Sequence, residues 1–127
     1  MFLNGVELEF DFYDADQIEV FEDAIDRAGV EINKALDAKK QSQLIRGVCQ
    51  ATINMLDEIF GEGTANDVFQ GETNFKKSIE VFNSIVKERI KQEEELNVVV
   101  DEMKNLTEGR NVQQPNNRQI RRLNKKN

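Results

Sequence analysis

Three carboxylates, Asp11, Asp14 and Asp16, crowd together in DFYDADQIE. Acids so spaced can hold calcium through their oxygens, but the calcium loop needs a glycine at its sixth position and a glutamate at its twelfth. Counted from Asp14, the sixth position is Glu19, and the pattern fails. A strand edge followed by a helix N-cap accounts for the same acids. GEGT, Gly61 to Thr64, is too short to cradle a phosphate, and no Gly-Lys-Ser/Thr follows it. Two helix-end turns explain it. Histidine is absent, which removes the commonest general base and the commonest transition-metal ligand. The single cysteine, Cys49, lies on an apolar stripe between Val48 and Ile53, where thiols are usually inert core residues. A zinc site would need several Cys or His. No catalytic, cofactor-binding or metal-binding constellation emerges, and the chain reads as a non-enzyme.

The remaining chemistry is charge. The chain ends NNRQIRRLNKKN, with Arg118, Arg121, Arg122, Lys125 and Lys126 and no acid. Residues 108–127 carry net +5, residues 1–107 net -12, and residues 1–31 alone net -9. Clustered Lys and Arg can neutralise phosphates. Here no aromatic residue is interleaved for base stacking, and the acidic body opposes a polyanion. Nucleic-acid binding is therefore the minor reading, beside a protein-partner or solubility role or an idle tail. A membrane role is not expected, since the tail has neither an amphipathic anchor nor a lipidation motif. Opposite ends of neighbouring copies would attract weakly and in a salt-dependent way.

These residues hang on a mainly helical pattern. Val6, Leu8, Phe10 and Phe12 alternate with Glu7, Glu9, Asp11 and Tyr13, the period of a strand with one apolar face. Asn4-Gly5 is a hairpin-turn dipeptide, so a short β-hairpin is expected over about 1–13. Asp14 reads as a helix N-cap, with Gln17 completing a capping box. Ile18, Phe21, Ala24, Ile25 and Ala28 form its helix's stripe, with a stop or a kink at Gly29. A clearer helix carries Leu44 to Phe60 and ends at Gly61. Thr64 caps a short helix bearing Ala65, Val68 and Phe69, which Gly71 stops. Asn74 caps a long segment whose first seam runs Phe75, Ile79, Phe82, Val86. Leu96, Val99, Val100, Met103 and Leu106 resume a stripe. KQEEE at 91–95 lies between, as a solvated bridge or as a bend between two helices.

The expected fold is mainly α: a single helical domain over 1–107 with the N-terminal hairpin, and a disordered basic tail over 108–127, where Gly109 and Pro115 break the apolar pattern. Eight Phe and no Trp point to an aromatic core built mainly from Phe. One cysteine allows no disulfide within the chain and fits a reducing cytoplasm. MFLNGVELEF has neither the basic region nor the apolar run of a signal peptide. No stretch approaches the roughly 18 apolar residues of a membrane span.

The opening MFLNGVELEFDFYDAD, with Asn4-Gly5, Glu9-Phe10-Asp11 and Asp14-Ala15-Asp16, and the turn Phe60-Gly61-Glu62-Gly63-Thr64-Ala65 with Phe69, resemble small proteins encoded in phages and prophages of Gram-positive bacteria. Such proteins are similar in size and character to siphophage tail assembly chaperones. The resemblance covers residues 1–90 and the basic end, and its motifs are structural. It implies a self-associating, non-enzymatic protein, with no cofactor, that binds the tape measure protein and keeps it soluble until tail-tube subunits assemble around it. It further implies work in the host bacterial cytoplasm, absence from the finished virion, and a longer product made by ribosomal slippage near Lys125-Lys126-Asn127. The stripe Leu96, Val99, Val100, Met103 and Leu106 is the client surface this would use. Packing of that stripe in the chain's own core stays equally open, and a different phage or host adaptor or regulator is the runner-up role.

Overall fold

Asn4 and Gly5 both take left-handed backbone, at φ 50° and φ 82°, as a two-residue hairpin turn of matching twist requires. They join β1 (Phe2–Leu3) to β2 (Val6–Glu7), pairing Phe2 with Glu7 and Leu3 with Val6. One more exchange follows: the Leu8 N–H donates to the Met1 carbonyl at 2.7 Å, and the Met1 ammonium donates to the Leu8 carbonyl at 3.2 Å. The computed structural model describes residues 1–108, so the basic end, with Arg118, Arg121, Arg122, Lys125 and Lys126, lies outside the described residues.

The strand is shorter than the alternation suggests. Beyond Leu8 the chain leaves the ladder, yet Leu8, Phe10 and Phe12 pack against the core while Glu9, Asp11 and Tyr13 stay exposed. The alternation records which face is buried, not which residues have strand partners. Phe10 sits 4.6 Å from Phe12, 5.2 Å from Phe21 and 6.0 Å from Phe60, ring centre to ring centre. These tilted and edge-on contacts suit aromatic quadrupoles and fasten the N-terminal arm to two helices.

Helix α1 (Ala15–Leu36) starts where Asp14 accepts the Gln17 N–H at 3.0 Å. The expected capping box is modified: the Gln17 side chain accepts from the Asp11 N–H at 3.1 Å rather than from Asp14. Asp11 in turn accepts the Tyr13 N–H at 2.9 Å. Two of the three crowded acids thus serve a turn and a cap. Gly29 neither stops nor divides α1, which continues to Leu36.

Helix α2 (Gln41–Phe60) packs along α1. They approach closely at Gly47, where an added Cβ would stand 2.6 Å from the Ala35 Cβ. Arg27 and Glu58 pair across the two helices at 2.5 Å. Asp57 serves two elements: its carbonyl accepts the Gly61 N–H at the end of α2, and its carboxylate accepts the Ala65 N–H at 2.9 Å in the first turn of α3 (Thr64–Phe69). The N-cap of α3 is Gly63, in left-handed backbone, rather than Thr64, whose hydroxyl instead donates to the Gly61 carbonyl at 2.7 Å. The Asn4 side chain donates to the Val68 carbonyl at 2.7 Å, tying the hairpin turn to α3.

Helix α4 (Phe75–Glu108) is one helix of 34 residues, about 51 Å at 1.5 Å per residue. Asn74 caps it, accepting the Lys77 N–H at 2.9 Å. The residues α4 buries are Ser78, Val81 and Ile85. The expected seam of Phe75, Ile79, Phe82 and Val86 is only half-buried, since the helix is turned toward Ser78, a polar residue that apolar spacing overlooks.

Val81 and Ile85 join Leu3, Phe21, Ile25, Met55, Leu56, Val68 and Phe69 in the core. Phe21 and Phe69 are buried and Phe10, Phe12, Phe60 and Phe82 line its edge, so the aromatic part of the core is built from Phe, while aliphatic residues, Ala and Met make up the rest. By packing, the chain divides into Met1–Glu88 and the part from Arg89 onward. The expected single body over 1–107 follows composition. Packing breaks earlier, because α4 buries nothing beyond Ile85.

Candidate partner-binding surface

Residues 91–95, KQEEE, are good helix formers and carry α4 through the stretch where a bend was one expectation. The three valines at 98–100 are poorer ones. Leu96, Val99, Val100, Met103 and Leu106 recur at three- and four-residue steps and so share one face. All five are exposed, from 38% for Val100 to 64% for Leu106. Core packing of this stripe, the alternative left open above, is therefore not what the described residues adopt. Val98 and Ile90 are also exposed, at other angles on the helix. Apolar spacing passed over Val98 because it falls on the far side of α4 from the stripe.

Four aliphatic side chains and a thioether make a surface for apolar contact rather than for chemistry. Met103 adds a flexible, polarisable side chain that adapts to different shapes. The carboxylates around the face, Glu93, Glu95 and Glu102, are exposed.

Elsewhere the described residues offer little that could act on a substrate. No cluster of three or more Asp, Glu or Cys among them could hold a metal ion. Cys49 is buried, as its place on the α2 stripe suggests. An open groove of about 520 Å³ runs between α1 and α2, floored by Ala24, Ala28 and Ala51 and rimmed by Arg27, Glu31 and Glu58. Its polar groups are spent partly on the Arg27–Glu58 pair. No helix among the described residues is long and apolar enough to cross a membrane.

A family model described as a family of unknown function, DUF6673, matches residues 4–125. The chain belongs to that DUF6673 family. The match takes in the hairpin turn, the core helices and the exposed stripe alike. No curated protein and no solved structure matches the chain.

Proposed function

We propose that this member of the DUF6673 family is a non-enzymatic phage tail assembly chaperone, whose exposed α4 stripe binds and solubilises the tape measure protein during tail assembly. The observation that carries the reading is that stripe: five apolar side chains on one helical face, all open to solvent. An exposed apolar face rimmed by charge offers a surface for partner contact. A long helical client presents complementary apolar faces, and helix-on-helix contact is a standard mode of recognition. The resemblance in residues 4–16 and 60–69 supports the phage assignment. On this reading the protein works in the host cytoplasm, associates with further copies along the client and is absent from the virion. A longer slipped product would require an uninterrupted adenine run at Lys125-Lys126-Asn127, which the coding sequence tests directly.

The test is co-expression of the full chain with a tape measure protein encoded beside it. The chaperone should co-purify with its client and raise the client's soluble fraction. A Val99→Asp/Met103→Asp variant with unchanged helical content should lose both effects. A client equally insoluble with and without the chain would overturn the chaperone reading and favour the runner-up, a phage or host adaptor or regulator using the same face.

A further inference from the structure

In its exposed part α4 follows a heptad: Leu96 and Met103 hold position a, Val99 and Leu106 position d. The edge positions beside such a seam are e and g. Here e is Glu93, Val100 and Thr107, and g is Glu95 and Glu102. Every charged side chain on these two edges is a carboxylate, and all are exposed. Lys91 and Lys104 fall at c and b, away from the seam.

We propose that this seam takes an amphipathic helix whose own edge positions carry Lys or Arg, in preference to a second copy of this chain. The proposal rests on the reading of the stripe as a helix-binding surface. Edge charges set partner choice and orientation in paired helices. In an antiparallel self-pair g faces g, which sets Glu95 against Glu102. In a parallel self-pair g faces the following e, and Glu95 and Glu102 meet Val100 and Thr107 with no opposite charge. A cationic edge on the partner converts these positions into ion pairs in either orientation. Size limits what any single contact at this seam can contribute. Residues 96–106 span about 16 Å of helix about 10 Å wide, a footprint on the order of 200 Å². Stable dimers bury about 800 Å² per partner, so this seam alone is too small to hold two copies together. Each contact with a client is weak, and affinity accumulates when several copies line one long helix.

Two synthetic helices of about three heptads, both with Leu at a and d, test this. One carries Lys at every e and g, the other Glu. Each is titrated against the full chain at about 20 mM and about 500 mM salt. The Lys peptide should bind at least about tenfold tighter at low salt, with the ratio shrinking at high salt. A Glu95→Lys/Glu102→Lys variant should reverse the order. A Glu19→Lys/Glu22→Lys variant, with the same charge change on exposed positions of α1, should keep it. Equal binding of the two peptides, binding of neither, or the same reversal in the α1 variant overturns the proposal. So does a dimer, seen by sedimentation, that Val99→Asp dissociates, since that gives the seam to a second copy. If client solubilisation fails in Val99→Asp/Met103→Asp but persists in Glu95→Lys/Glu102→Lys, the helix-binding reading stands and the charge rule falls.

Discussion

Helix α4 carries one heptad register through two different surroundings. Before Glu88, its seam positions Ser78, Phe82 and Ile85 meet the core, and Ile85 is wholly buried. After Arg89, the equivalent Leu96, Val99, Met103 and Leu106 meet solvent. The exposed seam is the more apolar of the two, since the buried one includes Ser78, so hydrophobicity does not decide which is covered. What differs is the supply of neighbours: Leu3, Phe21, Leu56 and Phe69 share one cluster with Ile85. Most helical stability in proteins comes from packing an apolar face. The second half of α4 therefore leans on the propensities of its Glu, Lys and Gln residues, and its apolar face is left available.

The contrast breaks most readily at Ile85. Ile85→Ala should cost about 2–5 kcal/mol of unfolding free energy, whereas Leu106→Ala should change it by no more than about 0.5 kcal/mol. Denaturant titration of the two variants checks this, and similar losses would mean that the second half is packed after all. Packed and open positions also differ among the glycines. Gly47→Ala drives a methyl into Ala35 and should destabilise by about 1–3 kcal/mol. Gly29→Ala meets nothing within 4 Å and should stabilise α1 by about 0.5–1 kcal/mol. Opposite shifts in melting temperature are expected, and a stable Gly47→Ala protein would contradict the close helix approach. The smallest effect belongs to the exposed Arg27–Glu58 pair. Arg27→Ala should cost less than about 1 kcal/mol and less still at high salt, so a larger thermal shift would show that the α1–α2 rim matters more than its exposure implies.

Much of this architecture is legible in the residues. Asp14 and Asn74 announce their helices because a short polar side chain at an N-cap satisfies an otherwise orphaned N–H. Asn4-Gly5 announces its turn because both positions need left-handed backbone. The errors share a cause, which is dependence on partners distant in sequence. Residues 8–12 alternate like a strand, but alternation does not tell whether a neighbouring strand exists. Ser78 faces the core by the rotation of α4, which no spacing of apolar residues reveals. Gly47 is a contact point only because Ala35 stands opposite, and Gly29 resembles a stop although the helix runs through it unhindered. The stripe from Leu96 to Leu106 is plain in the sequence, whereas its exposure is not, since periodicity is the same for a face that is covered and one that is bare.

Cys49 has a practical consequence. Its thiol is the sole sulfhydryl of the chain and is sealed within α2 beside Val48 and Thr52. A maleimide can reach it only when the protein opens, because native packing denies access and Cys alkylation needs an accessible thiolate. Labelling rates in dilute reagent therefore act as a clock for opening of the Met1–Glu88 body. A client helix clasped by the far half of α4 would leave that clock unchanged unless the two halves are energetically joined, so one thiol can report whether binding at one end of a helix steadies the other.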